Sequence, residues 1–230
     1  MTQHLTSIRL IIFDFDGTLG DTQRNIVVTM QNVMRELHLT VQDEKTCAST
    51  IGLPLRNCYK QMFPQLTKEE LDECADTHRR LFAGNLNMIT PLPFPHVREM
   101  LTKLKESGKT LSIASSRTSE SLSDLLNRME LSGLFSLIIG VQEVKEAKPQ
   151  PEPVLKTLAT LGFHAEETLV VGDMDVDILM GVNAGVKTCG VTWGNGTREE
   201  LERAGATFIV SRAEEILKVI NSLERTNHNV

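Results

Sequence analysis

The chain has 230 residues, of which 40% are hydrophobic and 23% charged, and its formal net charge is −6. These values are typical of a globular chain that forms one large domain or a domain with a smaller insertion. The negative balance disfavours binding to nucleic acid or to an anionic membrane surface, because both require clustered lysine and arginine.

The ends of the chain and its cysteines suggest no export. Polar residues interrupt the first positions before a short apolar run, and no run of about 18 apolar residues occurs, so neither a signal peptide nor a membrane span is predicted. The four cysteines form no CxxC pair and have no histidine at metal-ligand spacing, which favours free thiols. We therefore expect a soluble cytoplasmic protein.

The first predicted strand covers residues 9–13, and a long helical stretch follows it. After Arg9 the strand is apolar, which is typical of a strand buried on both faces. From residue 21 to residue 88 we find no convincing strand, whereas apolar residues recur at helical spacing and residues 68–82 predict a helix. The segment PLPFP at 91–95 marks the return of strands.

The remainder of the chain alternates strands with helices. Strands are predicted at 110–114, 136–139, 168–171, 188–191 and 207–210, and helices at 97–106, 121–129 and 153–161. This alternation predicts an α/β fold, a Rossmann-like parallel sheet with helices on both faces. The helical stretch is an all-helical domain, residues 20–89, inserted into a core made of residues 1–19 and 90–230.

Two acids close the first strand in the sequence LIIFDFDGTLGDT, residues 10–22. Asp14 and Asp16 flank Phe15, and Gly17 breaks the strand, so both carboxylates can point into one cleft at its carboxyl end. Two such anions repel, and a hard divalent cation with oxygen ligands relieves that repulsion. Mg²⁺ fits this description, although a polar turn with Thr18 as a helix cap is the alternative.

A second strand also ends in acids. The sequence TLVVGDMDVD, residues 168–177, places Asp173 at the strand end and Asp177 one helical turn later on the same side. The carboxyl ends of parallel strands lie at the same edge of a sheet, where reactive residues gather. Two acidic strand ends in one sheet therefore indicate a site more strongly than either does alone.

Hydroxyl and ammonium groups accompany these acids. Ser115 and Ser116 follow the strand at 110–114 and offer O–H and backbone N–H groups to an anion, although a plain helix cap explains them equally well. Lys148 precedes the proline-rich entry of a helix, which restricts its backbone, although a loop lysine is ordinarily only solvated.

Together, four segments of the chain resemble one family. DFDGTL, IASSR, KPQPEP and GDMDVD occur in the order seen in haloacid dehalogenase-like phosphotransferases, and the resemblance covers essentially the whole chain. The inserted helices resemble the cap that many of these enzymes fold over the active site. Residues 190–210 are further similar to the phosphoglycolate phosphatase branch, a likeness shared with relatives that use other small phosphates.

The resemblance implies a role for each residue of the site. Asp14 is the nucleophile that forms an aspartyl phosphate, and Asp16 is the general acid and base. Ser115 and Lys148 hold the phosphoryl oxygens. Mg²⁺ binds the Asp14 carboxylate, the Asp16 backbone carbonyl and the Asp173 carboxylate, while Asp177 positions Lys148 or a metal-bound water.

The resemblance also implies substrate contacts. Ser116 and Arg117, with the loop from Gly52 to Arg56, would meet the rest of the substrate. Met174 departs from the family pattern, since a serine or threonine is usual there, and this puts one hydrogen bond near the metal in doubt.

The expected activity is that of a Mg²⁺-dependent phosphoric monoester hydrolase acting on a small phosphorylated metabolite, with phosphoglycolate as the best single guess. Inorganic pyrophosphatase and sugar-phosphate phosphomutase remain alternatives on the same scaffold. A non-catalytic binding protein is disfavoured because it has no need for clustered acids that repel, and a dehalogenase because its chemistry uses neither the second acid nor a metal. Oligomeric state stays open.

Overall fold

The computed structural model describes residues 7–86 and 90–225. The strands are β1 (Leu10–Phe13), β2 (Gly20–Asp21), β3 (Leu92–Pro93), β4 (Thr110–Ala114), β5 (Leu137–Ile139), β6 (Thr168–Gly172), β7 (Lys187–Val191) and β8 (Phe208–Val210). The helices are α1 (Gln23–Glu36), α2 (Glu44–Ala48), α3 (Leu55–Met62), α4 (Lys68–Asn85), α5 (Val97–Glu106), α6 (Ser119–Arg128), α7 (Glu152–Leu161), α8 (Asp175–Asn183), α9 (Arg198–Arg203) and α10 (Ala213–Arg225).

Six strands form one parallel sheet in the order β5-β4-β1-β6-β7-β8, and helices cover both of its faces. On one face Ile11 and Phe13 of β1 belong to a core that also includes residues of α5, α6 and α10. On the other face Leu10 and Ile12 pack with Val154 of α7 and residues of α8. Because successive side chains point to opposite faces, a strand buried on both faces has to be apolar throughout.

The predicted α/β fold is confirmed, and each of the six predicted strands lies within one residue of its expected bounds. Helix α5 has the predicted bounds, whereas α6 begins two residues earlier than expected. The reason is local: the Thr118 side chain accepts a hydrogen bond from the backbone N–H of Ser121 and caps the helix at that point.

Four helices, α1 to α4, occupy the chain between β2 and β3. The two short strands pair antiparallel, with Gly20 opposite Pro93 and Asp21 opposite Leu92. The expectation of no convincing strand from about residue 21 to residue 88 is wrong at Asp21, since a two-residue strand has no periodicity to detect. Within the described ranges, no helix is both long and apolar enough to cross a membrane.

The order of the strands positions the site. β1 lies between β4 and β6, with Phe13 in register with Ile113 on one side and Val171 on the other. The chain proceeds from β1 toward one edge through β4 and β5 and toward the other through β6, β7 and β8. This reversal of direction leaves a crevice beyond the carboxyl ends of the central strands, which is where ligands bind in open α/β sheets.

Candidate active site

Asp14 follows β1 and is buried, with 4% of its surface exposed. Its backbone N–H donates to the carbonyl of Val171 at 2.8 Å, so the residue extends the sheet by one step and its position is fixed by the ladder. Gly17 then turns the chain at φ +88°, and a Cβ there would lie 2.2 Å from Oδ2 of Asp173. Only glycine allows the loop after β1 to approach the end of β6 so closely.

Lys148 lies between two buried carboxylates. Its Nζ donates to Oδ1 of Asp14 and, at 2.7 Å, to Oδ1 of Asp177. Burial alone would lower the pKa of Lys148, but the two carboxylates outweigh it and raise that pKa above its usual value. The lysine is therefore a fixed cation, and the alternative of a solvated loop lysine is wrong because only 5% of its surface is exposed.

Burial raises the pKa of Asp14 well above its ordinary value, and Asp177, Asp173 and Asp16 raise it further while Lys148 opposes them. Burial also raises the pKa of Asp173 to about 7, with Asp177 adding to the effect. Both shifts have one physical cause, since several carboxylates are held together away from water with a single ammonium group among them.

Asp173 is held by groups from two loops. Its Oδ1 accepts from the Thr18 hydroxyl at 2.9 Å, and its Oδ2 accepts from the backbone N–H of Asn195 at 2.7 Å and from the Asn195 side chain at 3.1 Å. Burial is complete, so these donors partly replace water around the carboxylate. They fix its orientation toward the loop that follows β1.

The acid cluster can hold a divalent cation. Asp14, Asp173 and Asp177 each offer an oxygen atom, and these atoms lie within 4.8 Å of one another. Burial and the neighbouring carboxylates raise the pKa values of Asp14 and Asp173, and a hard cation with oxygen ligands would offset this crowded negative charge. The predicted metal ligands Asp14 and Asp173 both belong to this cluster, which also includes Asp177, and the Asp16 carbonyl stays a prediction.

Asp16 is oriented by two donors. Thr22 donates its hydroxyl to Oδ1 at 2.5 Å, and Nε of Arg117 donates to Oδ2 at 2.6 Å. The guanidinium of Arg117 also lies 4.4 Å from the ring centre of Phe82 on α4. Arg117 therefore links Asp16 to the helical segment, and its predicted contact with the substrate stays a prediction.

Ser115 and Ser116 have different surroundings. Ser115 is buried beside the cavity, and its Oγ accepts from the backbone N–H of Arg117 at 3.3 Å. The Ser116 hydroxyl donates to the carbonyl of Gly52 at 2.7 Å, so two predicted substrate-binding residues contact each other. A Cβ at Gly52 would lie 3.2 Å from the side chain of Met174, which therefore packs against this loop.

A cavity of about 530 Å³ joins most of these residues. Asp14, Asp16 and Ser115 line it together with Ser116, Arg117, Gly52 and Arg56. Arg56 also forms an ion pair with Asp72, and its side chain is 45% exposed. Lys148 contacts Asp14 of the lining, and Asp177 contacts Lys148 in turn, whereas Asp173 contacts Thr18.

The sequence interpretation missed several residues at this site. Thr22 and Asn195 fix the carboxyl groups of Asp16 and Asp173, and the GNG stretch around Asn195 was the one available signal for such a close approach. His78 on α4 lines the cavity and shares a 2.9 Å hydrogen bond between Nδ1 and the Tyr59 hydroxyl. Nothing in its spacing pointed to that position.

The central parallel sheet brings buried acids to the ends of two adjacent strands, with a buried lysine beside them, and this arrangement can bind an anionic group. Residues 11–191 match the model of the haloacid dehalogenase-like hydrolases, and the chain belongs to this family. The predictions of the family and of a phosphoric monoester hydrolase are thereby confirmed at this level.

Relatives with known names cover nearly the whole chain. "Probable phosphatase IndB" of Dickeya dadantii is 35% identical over 93% of this chain and 94% of its own length. A phosphoglycolate phosphatase of Aquifex aeolicus is 33% identical, covering 94% and 98%. Pyrophosphatase PpaX of Anoxybacillus flavithermus is 30% identical, covering 95% and 100%.

A solved structure shares the fold over the same length. The haloacid dehalogenase-like hydrolase of Streptococcus pneumoniae is 25% identical, covers 92% of this chain and 98% of its own, and superposes with a TM-score of 0.82. The similarity therefore extends through the helical segment as well as the sheet.

Proposed function

We propose that the protein is a Mg²⁺-dependent phosphatase that hydrolyses a small phosphorylated metabolite through an aspartyl-phosphate intermediate. One observation carries this proposal: the Asp14 carboxylate lies buried at the cavity, bonded to Lys148, with Asp16 lining the same cavity. A nucleophile, a neighbouring carboxyl group and a fixed cation are the groups that transfer of a phosphoryl group to an enzyme requires.

In this proposal Asp14 attacks phosphorus with its free oxygen, and Asp16 protonates the leaving oxygen and then takes a proton from the attacking water. Lys148 and Ser115 bind phosphoryl oxygens, and Asp177 keeps Lys148 in place through the 2.7 Å contact. When bound, Mg²⁺ supplies positive charge to the phosphoryl oxygens and to the acid cluster. The residues that would hold it are Asp14 and Asp173, with the Asp16 carbonyl.

We further propose that residues 20–89 act as a cap over a core made of residues 1–19 and 90–230. Support comes from the cavity, which is lined by residues of both parts, and from the contacts of Gly52 with Ser116 and of Phe82 with Arg117. Gly52, Arg56, Ser116 and Arg117 are in this view the residues nearest to the leaving group. A cytoplasmic location belongs to the same proposal.

The names of two relatives provide narrower candidates, phosphoglycolate and inorganic pyrophosphate. Phosphomutase activity remains the alternative, because a nucleophilic Asp14 is compatible with both phosphoryl transfer back to the substrate and hydrolysis. Steady release of inorganic phosphate from small monoesters supports the phosphatase, whereas isomerised sugar phosphate with little free phosphate would favour the mutase.

The roles of the two acids can be tested by trapping. In Asp16→Asn protein, attack on an activated aryl phosphate needs no proton from the enzyme, and the intermediate persists because no base activates water. Mass spectrometry should show one added phosphoryl group on the peptide that contains Asp14. Asp14→Asn protein should show none, because an amide forms no acyl phosphate. Label on another peptide, or equal label in both variants, would refute the assignment.

A further inference from the structure

The helical segment contributes an apolar wall to the cavity, beside Arg56, His78 and Arg79. Ile26 of α1, the loop residues Ile51 and Leu53, Leu55 of α3, and Phe82 of α4 line it. Ile26, Ile51 and Phe82 are each at most 6% exposed, so the wall is continuous with the hydrophobic core. At about 530 Å³ the cavity lies within the range of sites for drug-sized ligands, and a two-carbon acid phosphate would fill little of it.

The cationic side chains that line this cavity already have anionic partners. The described pairs are Arg117 with Asp16, Arg56 with Asp72 and Arg79 with Asp76. Glu120 at the same cavity adds negative charge, and Asp124 there is paired with Arg128. Within the part of the chain that the structure describes, the cavity lining therefore presents no arginine or lysine without a carboxylate partner.

His78 is the remaining basic side chain of the lining, and it is neutral. Burial lowers its pKa to about 3, with Arg117 and Arg79 adding to the effect. Its ring stacks on Phe82, and the Tyr59 hydroxyl occupies Nδ1. Around the expected place of the leaving group, the protein therefore presents an apolar wall, one neutral imidazole, and Arg56 and Arg117, which are each paired with a carboxylate.

We infer that the leaving group of the substrate is an uncharged alcohol with an aromatic ring, rather than a carboxylic acid or a second phosphate. This inference rests on the proposed phosphatase function. A charged leaving group would lose its hydration in this cavity without gaining an unpaired cation, and that loss is unfavourable. An aromatic ring gains from the same surface, because each side chain of the wall removes apolar area from water.

The test compares benzyl phosphate with phosphoglycolate and pyrophosphate in excess Mg²⁺, with phosphate release as the readout. We expect kcat/KM for benzyl phosphate to exceed both others by roughly 10²-fold, the effect expected from burying one ring. Acetyl phosphate serves as a substrate with almost no leaving group to recognise. If acetyl phosphate is hydrolysed and kcat/KM for phosphoglycolate equals or exceeds that for benzyl phosphate, this inference is wrong, whereas the proposed phosphatase function is still supported. If acetyl phosphate is not hydrolysed, both proposals fail.

A substitution in the wall provides the second arm. Leu53→Arg places an unpaired cation beside the leaving group, so kcat/KM should fall about 10-fold for benzyl phosphate and rise for phosphoglycolate. Val41→Arg introduces the same charge at a position that is 43% exposed and outside the cavity lining, and should change neither value. Ala83→Lys, at an exposed position of the lining, repeats the test if the first variant does not fold. A ratio of the two substrates within threefold of wild type in both variants would overturn the inference.

Discussion

The two sides of the cavity treat charge in opposite ways. At the strand ends, Asp14, Asp173 and Asp177 are buried together with Lys148, so this side holds several charged groups away from water. In the helical segment, the cavity meets aliphatic side chains, Phe82 and a neutral His78, together with Arg56 and Arg79, whose charges are paired near solvent. One side concentrates buried charge, and the buried part of the other side is apolar.

This difference teaches which part of the molecule sets which property. Buried charges need partners at fixed distances, and the ends of a hydrogen-bonded sheet hold side chains more precisely than loops do. Apolar contact is not directional, so a wall built from α1, α3, α4 and a loop can change its shape by substitution without disturbing the charged side. Under the proposed function, the chemistry depends on the ends of the sheet strands, and selectivity for the leaving group depends on the helices.

The largest expected effect comes from removing the metal from the charged side. With excess chelator, activity should vanish, because the carboxylates and a phosphate dianion would then repel each other with only Lys148 to compensate. Mg²⁺ should restore the rate, and Ca²⁺ should inhibit because its larger and looser coordination spoils the in-line geometry. Phosphate release from acetyl phosphate measures both. Full turnover in chelator would contradict the metal role.

Lys148→Met tests the charged side without removing the metal. The side chain keeps its length and loses its charge, so we expect kcat to fall by roughly 10²- to 10³-fold, as when a preorganised donor is removed. The free energy of unfolding should also fall by about 3–5 kcal/mol in metal-free protein, because Asp14 and Asp177 lose their buried partner. Lys145 is exposed and lies seven residues before Glu152. Lys145→Met is the matched control and should retain the wild-type kcat and the wild-type free energy of unfolding. A change within a few-fold would mean that Lys148 has no role in the reaction.

The sequence predicted the charged side better than the apolar side, and the reason is physical. Asp14, Ser115 and Asp173 each follow an apolar strand directly, and the parallel order of the strands brings their ends together. Local pattern is enough to locate such residues. Asp177 contacts Lys148, the residue that it is predicted to position, and its role in the reaction stays a prediction.

The residues that the sequence did not reveal depend on distant contacts. The pairing of Arg117 with Asp16 joins residues about a hundred positions apart, and His78 reaches the cavity only because α4 packs beside α1 and α3. Helix periodicity indicates which face is apolar, but it does not indicate which part of that face meets core and which part meets a cavity. The residues that form the wall of the cavity could therefore be identified only from the structure.

The pH dependence of the free energy of unfolding distinguishes the two sides of the cavity. The pKa of His78 falls from 6.5 to about 3 on folding, so its contribution is fully present above pH 6.5 and is lost as the pH falls toward 3. Between pH 7 and pH 5 the free energy of unfolding should drop by about 2 kcal/mol, roughly a 30-fold change in the folding equilibrium. Urea unfolding of wild type and His78→Gln in excess Mg²⁺ should show this drop in wild type alone.

His164→Gln, at an exposed position, is the control and should follow wild type. Excess Mg²⁺ is needed because Asp173 changes the stability in the opposite direction. Burial raises the pKa of Asp173 from 3.8 to about 7. In metal-free protein, the contribution of Asp173 to the free energy of unfolding is therefore lost as the pH rises through 7. If wild type and His78→Gln show the same dependence from pH 7 to pH 5, the histidine is not held neutral by the fold.

The smallest effect concerns how the two sides come together. If residues 20–89 close over the core, the junctions near Gly20 and Pro91 are cleaved mainly in a form that has no ligand, and a ligand that joins both sides lowers the population of that form. Subtilisin digestion with Mg²⁺ and inorganic vanadate at ten times its dissociation constant should be roughly tenfold slower at these junctions than without vanadate. Mass spectrometry of the fragments identifies the cleavage positions. Cuts near residue 206, between α9 and β8, report on general protease activity and should continue at the same rate.

Vanadate without Mg²⁺ should protect the junctions less, because the charged side then binds vanadate weakly. Equal cleavage at the junctions with and without ligand would show that the helical segment does not close, and the apolar wall would then be a fixed surface to which the leaving group binds directly.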